Sequence, residues 1–279
     1  MYTSIVISGG AMKAMACIGV ARFLEERSLM KPVRNFVGTS AGSIICLLMA
    51  LGYSSTEIRK ALVETLADDT LTGFDVEKIF DIMTTYGMND GSGLARGLER
   101  LVYKRYHVKD ITFIDLAKAS GKNLVVCVSN LTKESPEYLS VDTAPGLSVI
   151  KAVVASCSIP ILFQPVEIGG CMYLDGALYN NFPIDYFSDN KLRDILGINI
   201  VFKNYQKHDT FGKYLRFLFN SVVERFNKKL LSNQDRNIVT LEFEEEEGWF
   251  SFEDAKIRLS EEKLEEYISI GYNACKDAI

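Results

Sequence analysis

The sequence predicts an α/β protein built on an open, mostly parallel β-sheet. Short apolar segments of strand type alternate with helical segments from the first residues onward, and this alternation is typical of parallel sheets with helical crossovers. The 279 residues contain no internal repeat and no linker rich in Pro, Gly or Ser. A chain of this length can bury a substantial core, so we expect one domain over residues 1–279.

Each predicted strand is a short run of β-branched or other apolar residues. In chain order the predicted strands cover residues 4–7, 35–37, 124–129, 166–168, 172–174, 195–202 and 239–243. Gly169 and Gly170 separate the fourth strand from the fifth, which predicts a hairpin. The segment 124–129, Leu-Val-Val-Cys-Val-Ser, is apolar on both faces, as expected for a strand in a covered sheet.

The predicted helices are defined by the spacing of their apolar residues and by their caps. In chain order they cover residues 14–27, 43–51, 55–66, 149–156, 211–231 and 260–276. The helix over 43–51 is almost entirely apolar and is expected to be buried, whereas a Ser/Thr cap opens the amphipathic helix over 55–66. Residues 68–110 are interpreted as short helices and loops.

Charge and cysteine content exclude several classes of protein. The net charge is −5, from 31 basic and 36 acidic residues, so no basic excess is available to bind nucleic acid. The six cysteines lack Cys-x-x-Cys spacing, which favours buried free thiols in a reducing compartment.

The N-terminus lacks signal-peptide features, and the longest apolar stretch is far below the ~20 residues of a membrane span. We expect a cytoplasmic protein.

The pentapeptide Gly38-Thr39-Ser40-Ala41-Gly42 has the Gly-x-Ser-x-Gly form of a nucleophile elbow. Glycines on both sides allow the sharp turn from strand to helix that presents the serine. The following helix directs its N-terminal dipole at the same point, which favours negative charge there. The alternative is a glycine-rich turn without function, but the strand before it and the helix after it favour catalysis. Ser40 is therefore the candidate nucleophile, with Gly38 and Gly42 shaping the elbow.

A serine nucleophile needs a base, and the sequence contains only two histidines. Because His107 and His208 both lie in polar segments that suggest solvated loops or helix ends, a Ser-His-Asp triad is disfavoured. An esterase that uses one of them stays an alternative. Asp175, in Leu-Asp-Gly-Ala after an apolar hairpin, is the best placed carboxylate, although an aspartate before glycine is often only a turn residue.

A glycine-rich loop, residues 8–14 (SGGAMKA), follows the first strand and opens a helix. Its backbone N–H groups could bind an oxyanion or a phosphate, which makes a nucleotide-binding protein the competing class. Ala11 and Ala14 break the Gly-x-Gly-x-x-Gly pattern, and no Gly-Lys-Ser/Thr ends the loop. Nucleotide binding is therefore weakly supported.

Taken together, the three elements resemble the patatin-like phospholipase family, which has a glycine-rich loop, then Gly-x-Ser-x-Gly, then Asp-Gly-Gly or Asp-Gly-Ala. Further segments are similar to family sequence: residues 111–116, 124–130, 152–165 (AVVASCSIPILFQP) and 173–183 (YLDGALYNNFP). The resemblance covers residues 4–202 and fades after about 205. It implies a three-layer fold with the sheet covered by helices on both faces, and with residues 205–279 completing the domain.

The resemblance also implies a lipid acyl hydrolase of phospholipase A type, working through a Ser40–Asp175 dyad and an acyl-enzyme without metal or cofactor. Backbone N–H groups around Gly9, Gly10 and Ala11 are then expected to form the oxyanion hole, with Lys13 at the basic position of this anion-binding loop. Ala11 and Ala14 stand where many relatives have glycine. Because alanine carries a Cβ atom, we expect Ala11 to fit the loop only with a negative φ.

The alternative function is a catalytically silent or activator-dependent lipid-binding protein of the same fold. The expected partner is a lipid substrate at a membrane surface, reached peripherally. Residues 211–231 contain five basic residues against one acidic. They are interpreted as a helix packed on the sheet with a solvated basic side, and the alternative is contact with an anionic membrane. Head group, acyl position, oligomeric state and any protein activator are left open.

Overall fold

The structure is a computed structural model, and it describes residues 1–66, 82–187, 193–203, 237–244 and 260–279. The strands are β1 Ser4–Ile7, β2 Asn35–Thr39, β3 Gly87–Asn89, β4 Asn123–Asn130, β5 Ser135–Ser140, β6 Ile161–Phe163, β7 Val166–Ile168, β8 Cys171–Asp175, β9 Ile195–Lys203 and β10 Asn237–Glu244. The helices are α1 Ala16–Glu26, α2 Ala41–Ala50, α3 Ser55–Leu66, α4 Ile82–Thr85, α5 Ser92–Tyr106, α6 Phe113–Ser120, α7 Val149–Ser156, α8 Ala177–Asn180 and α9 Glu261–Ala278. Two 3₁₀ turns cover Ala11–Met15 and Ile184–Tyr186.

The central sheet is mixed and mostly parallel, as the sequence predicts. Within the described residues its order is β10-β9-β1-β2-β4-β8-β7, and β5 also pairs with β4. The five strands from β10 to β4 are parallel, whereas β5, β7 and β8 join antiparallel. The strands β7 and β8 form the predicted hairpin, and β3 pairs with β6 in a separate ribbon.

One edge of β4 changes partner halfway along, and this change positions the candidate site. The strand β2 pairs with the first half of β4 and ends at the pair Thr39–Cys127. From the next residue, Val128, the partner is β8, whose last residue is Asp175. The strand β5 pairs with residues 125–130 of β4 and takes the opposite edge. The residue that follows β2 therefore meets the end of β8.

Alternate residues of the central strands pack on opposite faces of the sheet, because successive side chains point to opposite sides. Ile5 and Phe36 belong to the larger apolar core, which also contains the buried residues of α1, α2, α7 and α9. Val6 and Val37 belong to a smaller cluster, which contains Phe182 and other residues of the segment 182–187. Both faces are thus covered, one by long helices and the other, in the described part, by a short irregular segment.

The helix α9 packs across α1 at two glycines. A Cβ atom on Gly19 would overlap the carbonyl oxygen of Ile268, and one on Gly271 would overlap that of Ala16. The two backbones therefore approach more closely than larger residues would permit. Arg59 of α3 adds ion pairs to two glutamates in the first half of α9. The helix α9 is thereby held against the N-terminal half of the chain.

Some predicted elements differ from those observed. Residues 92–106 form one continuous helix, α5, whereas the sequence predicts short helices and loops there. The prediction is wrong because Gly93 and Gly97 interrupt the apolar pattern of the sequence, although both are buried in the helix. The strands β3, β5 and β6 and the helices α6 and α8 are not predicted from the sequence. The predicted helix over 211–231 and part of 68–110 lie outside the described residues.

Two further predictions concern the state of the cysteines and the presence of membrane-spanning helices. All six thiols are free, and all except the partly exposed Cys171 are buried, as predicted. Among the helices that the structure describes, none is long and apolar enough to cross a membrane. A single domain over residues 1–279 stays a prediction.

Candidate active site

Ser40 occupies the tight turn between β2 and α2 in a strained backbone conformation. Its φ is 51° and its ψ is −132°, a region in which a residue with a side chain persists only when its surroundings hold it there. The Ser40 N–H donates to Ser156 Oγ at 2.8 Å. The Ser40 carbonyl accepts from the N–H of Ser43 at 2.8 Å and from its hydroxyl at 2.6 Å. Both backbone polar groups of the strained residue are thereby satisfied.

The two glycines of the elbow lie where no side chain fits. A Cβ atom on Gly38 would lie 2.6 Å from Ser43 Cα. One on Gly42 would overlap the backbone carbonyl of Ser8. The helix α2 can therefore begin directly beside β2 and the glycine-rich loop, which brings its N-terminal end close to Ser40.

Ser40 and Asp175 are joined by a short hydrogen bond, because β8 ends where β2 ends. Ser40 Oγ donates to Asp175 Oδ2 at 2.6 Å, and the other carboxylate oxygen accepts from the Ala177 N–H at 2.8 Å. Asp175 is 1% exposed and Ser40 is 7% exposed. A serine hydroxyl is thus held against a buried carboxylate, with no side chain between them.

Burial raises the pKa of Asp175 to about 7, because the charged form loses its hydration. The hydrogen bonds from Ser40 and from the Ala177 N–H act in the opposite direction but do not outweigh the loss of hydration. A base whose pKa lies near neutral pH can both accept and return a proton at modest cost. The carboxyl group therefore has the proton affinity that a general base needs.

The C-terminal end of α7 connects the nucleophile to the carboxylate. Ser156 Oγ accepts from the Ser40 N–H and donates to the Cys127 carbonyl at 2.6 Å. Two residues later, the Ser158 carbonyl accepts from the Asp175 N–H at 2.8 Å. Ser156 is not among the site residues that the sequence predicts. The signal that could have indicated it is a serine at the end of an otherwise apolar helix, inside the family-like segment 152–165.

The glycine-rich loop lies beside Ser40, as the sequence predicts, but its N–H groups are not equivalent. The Gly9 N–H donates to the Asn181 carbonyl at 3.1 Å. The N–H groups of Gly10 and Ala11 donate to no acceptor among the described residues. Of the three predicted oxyanion donors, the Gly9 N–H is therefore already engaged, and Gly10 and Ala11 stay the candidates.

The expectation of a negative φ at Ala11 is wrong. Its φ is 39°, in the left-handed region, where a Cβ atom approaches the following carbonyl and costs about 1–2 kcal/mol. The Ala11–Met15 turn begins there, and the Lys13 N–H closes it onto the Gly10 carbonyl at 3.0 Å. The loop therefore adopts the bend that glycine would allow without strain, and its contacts offset the cost.

Lys13 and His107 have contacts away from the Ser40 hydroxyl. Lys13 Nζ donates to the Tyr267 hydroxyl at 2.5 Å and lies 5.5 Å from the centroid of the Phe243 ring. Its predicted role in anion binding stays a prediction. His107 is exposed at the end of α5, where its ring packs edge-on against Tyr103. The other candidate base, His208, lies outside the described residues.

The chain is similar in sequence to one known protein family and to several individual proteins. The family model of patatin-like phospholipases matches residues 5–188. The probable lipid hydrolase 463L of Invertebrate iridescent virus 6 is 29% identical, over 74% of this chain and 73% of its own length. The protein YqhO of Bacillus subtilis is 30% identical, over 86% of this chain and 87% of its own. The triacylglycerol lipase ptl3 of Schizosaccharomyces pombe is 30% identical over 65% of this chain, but over only 41% of its own length.

Solved structures show the same fold at low sequence identity. VipD from Legionella pneumophila has a TM-score of 0.63 and 18% identity, covering 99% of this chain and 66% of VipD. The type III effector protein ExoU has a TM-score of 0.50 and 14% identity, covering 99% of this chain and 52% of ExoU. The chain thus spans between half and two thirds of the length of these structures.

Proposed function

The chain belongs to the patatin-like phospholipase family, and on this premise we propose that it is a lipid acyl hydrolase of phospholipase A type that uses Ser40 and Asp175 as a catalytic dyad. The family match, together with relatives named as a lipid hydrolase and as triacylglycerol lipases, supports a lipid hydrolase activity. The observation that carries the dyad is the 2.6 Å hydrogen bond from Ser40 Oγ to the buried Asp175 carboxylate.

In the first half of the proposed reaction, Ser40 Oγ attacks the acyl carbonyl carbon while Asp175 takes up the hydroxyl proton. The carbonyl oxygen becomes negatively charged, and the free N–H groups of Gly10 and Ala11 are the proposed donors to it. The tetrahedral intermediate then expels the lipid alcohol, which receives the proton from Asp175. The products of this half are the free alcohol and an acyl group on Ser40.

In the second half, water replaces the alcohol. Asp175, again ionised, removes a proton from the water as its oxygen attacks the acyl-Ser40 carbonyl. The fatty acid leaves, and the proton on Asp175 returns to Ser40 Oγ. One carboxylate serves both halves, for which a pKa of about 7 is well suited. No step requires a metal ion, so we propose that the activity is metal-independent.

The test is hydrolysis of mixed phospholipid vesicles in excess chelator, with fatty acids and lysolipids identified by mass spectrometry. Wild-type protein, Ser40→Ala and Asp175→Asn are compared, with His107→Ala as the control because His107 is exposed and packs against Tyr103. We expect release by wild type and His107→Ala only, and the lysolipid shows which ester was cut. Equal release by Ser40→Ala and wild type would contradict the dyad, and loss in His107→Ala would favour a triad.

If wild type also releases nothing from vesicles, a short-chain p-nitrophenyl ester separates the two remaining explanations. Turnover of this ester by wild type but not by Ser40→Ala would indicate a competent dyad that needs an activator or a different lipid. If wild type neither hydrolyses this ester nor reacts at Ser40 with a serine-directed phosphonate, the result would contradict the proposal. It would support a catalytically silent lipid-binding protein.

A further inference from the structure

Asn181 connects the segment that carries Asp175 to the glycine-rich loop. It follows α8 directly, six residues after Asp175, and is 8% exposed. Its backbone carbonyl accepts from the Gly9 N–H at 3.1 Å, and its side-chain Nδ2 donates to the Gly9 carbonyl at 3.4 Å. One residue therefore binds both backbone polar groups of Gly9.

Asn181 and Ser40 both lie against the face of Gly9 from which a side chain would project. A Cβ atom on Gly9 would overlap Asn181 Oδ1 and would lie 3.1 Å from Ser40 Cβ. The Asn181 carboxamide thus fills the space beside the Gly9 Cα, next to the nucleophile. Loss of the carboxamide would open this space and free the Gly9 backbone to shift.

The residues on either side of Gly9 are held by β9. The Ser8 N–H donates to the Ile198 carbonyl at 3.0 Å, and the Ile200 N–H donates to Ser8 Oγ at 2.8 Å. The Ile200 side chain packs against Gly10, where a Cβ atom would lie 2.7 Å from Ile200 Cδ1. Within the described residues, Gly9 itself makes its hydrogen bonds to Asn181 and not to β9.

The two free N–H groups follow Gly9 immediately in the chain. Gly10 is the next residue, and Ala11 comes after it with its strained φ of 39°. A strained conformation persists only when neighbouring contacts hold it. The direction of these N–H groups therefore depends on how firmly Gly9 is fixed, because no donated hydrogen bond holds them in place.

We propose that Asn181 is a positioning residue for the oxyanion hole, which fixes Gly9 so that the N–H groups of Gly10 and Ala11 lie where negative charge develops on the substrate. The proposal rests on the function proposed above. Asn181 acts through the loop and does not touch the substrate. Donors aimed at a developing oxyanion act mainly in the transition state, so the loss of their positioning lowers kcat and leaves KM nearly unchanged.

Two variants separate the hydrogen bond from the packing. Asn181→Ala removes the amide and leaves a space beside Gly9. Asn181→Leu keeps the number and branching of the side-chain heavy atoms but loses the Nδ2 donor, and it adds no charge to the site. Tyr138→Phe is the matched control, because the Tyr138 hydroxyl accepts from Asn180 Nδ2 at 2.9 Å. It removes a hydrogen bond from the residue next to Asn181 without altering a contact of Gly9.

The experiment measures kcat and KM for a short-chain p-nitrophenyl ester from pH 5 to pH 9, together with the Tm of each variant. For both Asn181 variants we expect kcat to fall by about 10- to 100-fold, as for a misplaced catalytic group. We expect KM within about twofold of wild type, because ground-state binding is retained. The midpoint of the pH profile should stay where wild type has it, since the Ser40–Asp175 bond is unchanged. Tyr138→Phe should retain the wild-type kcat.

Several results would overturn the proposal. A kcat close to wild type in folded Asn181→Leu would show that the donor does not position the loop. A loss confined to KM, or an equal loss of kcat in Tyr138→Phe, would show a general structural role. If Asn181→Ala does not fold, Asn181→Leu alone decides the matter. Ser40→Ala is measured in the same assay. If Ser40→Ala keeps wild-type activity, the proposed dyad is wrong. If Ser40→Ala is inactive while the Asn181 variants are fully active, only the proposed role of Asn181 is wrong.

Discussion

Replacing Asp175 with asparagine is expected to abolish hydrolysis and, at alkaline pH, to stabilise the fold. The carboxyl group is 1% exposed, and among the described residues its ionised form accepts two hydrogen bonds, from Ser40 and from the Ala177 N–H. Asparagine can keep both contacts, with its oxygen accepting from Ala177 and its amide donating to Ser40 Oγ. It removes the buried charge, which is the costly component of the arrangement.

The size of the effect follows from the shift in pKa. In the unfolded chain an aspartate titrates at about 3.9, whereas burial raises the pKa of Asp175 to about 7 in the folded protein. The folded state therefore binds the proton more tightly, and wild-type stability falls as the pH rises from about 4 to about 7. Three pKa units correspond to about 4 kcal/mol in full. About 3 kcal/mol of this is lost between pH 5 and pH 8.

The assay is urea unfolding of wild type and Asp175→Asn at pH 5 and at pH 8. The difference in unfolding free energy between the two proteins removes the contribution of the other titrating groups. We expect this difference to shift by about 3 kcal/mol in favour of the variant from pH 5 to pH 8. Glu167→Gln is the control, because it neutralises an exposed carboxylate on β7. Its effect should stay within about 0.5 kcal/mol at both pH values.

Two outcomes would refute this reasoning. A difference between wild type and Asp175→Asn that does not change with pH would mean that the carboxyl group titrates alike in the folded and unfolded chain. A variant that is less stable than wild type at pH 8 would mean that the ionised carboxylate contributes more through its hydrogen bonds than its burial costs.

Three further predictions test the site. We expect kcat/KM to rise about tenfold per pH unit below about pH 7 and to level off above it, because only ionised Asp175 can accept the Ser40 proton; a profile that is flat from pH 5 to pH 8 would contradict this role. Gly9→Ala should lower kcat on a short-chain ester by about 100-fold or more, since its Cβ atom overlaps Asn181 Oδ1; unchanged kcat would show that the loop can move freely. Ser156→Ala leaves the buried Ser40 N–H without its acceptor and should lower the unfolding free energy in urea by about 1–3 kcal/mol; no loss would show that the N–H finds another partner.

The elements that the sequence predicts well are those with local signals. The bounds of β1, α3 and α7 agree with the prediction, because apolar spacing and caps lie within each segment. The glycine pattern around Ser40 likewise predicts a turn from strand to helix. By contrast, α5 was predicted as separate pieces because Gly93 and Gly97 hide its apolar periodicity.

The site depends on contacts that span more than a hundred residues. Ser40 meets Asp175 because β2 and β8 share one edge of β4, and sheet register cannot be obtained from local patterns. The apolar hairpin before Asp175 makes it the best placed carboxylate, but it is the family resemblance that implies its pairing with Ser40. The contacts of Ser156 and Asn181 were not predicted for the same reason, since a polar residue in an apolar segment does not reveal its partner. The positive φ of Ala11 was missed because sequence preference favours the opposite sign.

The most direct test of the account is to identify the residue that becomes covalently modified. Wild type, Ser40→Ala and Asp175→Asn are incubated with a p-nitrophenyl alkylphosphonate, and the adduct is followed by intact mass and located by peptide mapping. We expect one adduct on Ser40 in wild type, none in Ser40→Ala, and a rate of adduct formation lower by about 10²–10⁴ in Asp175→Asn. An adduct on another residue, or reaction of Asp175→Asn at the wild-type rate, would contradict the dyad.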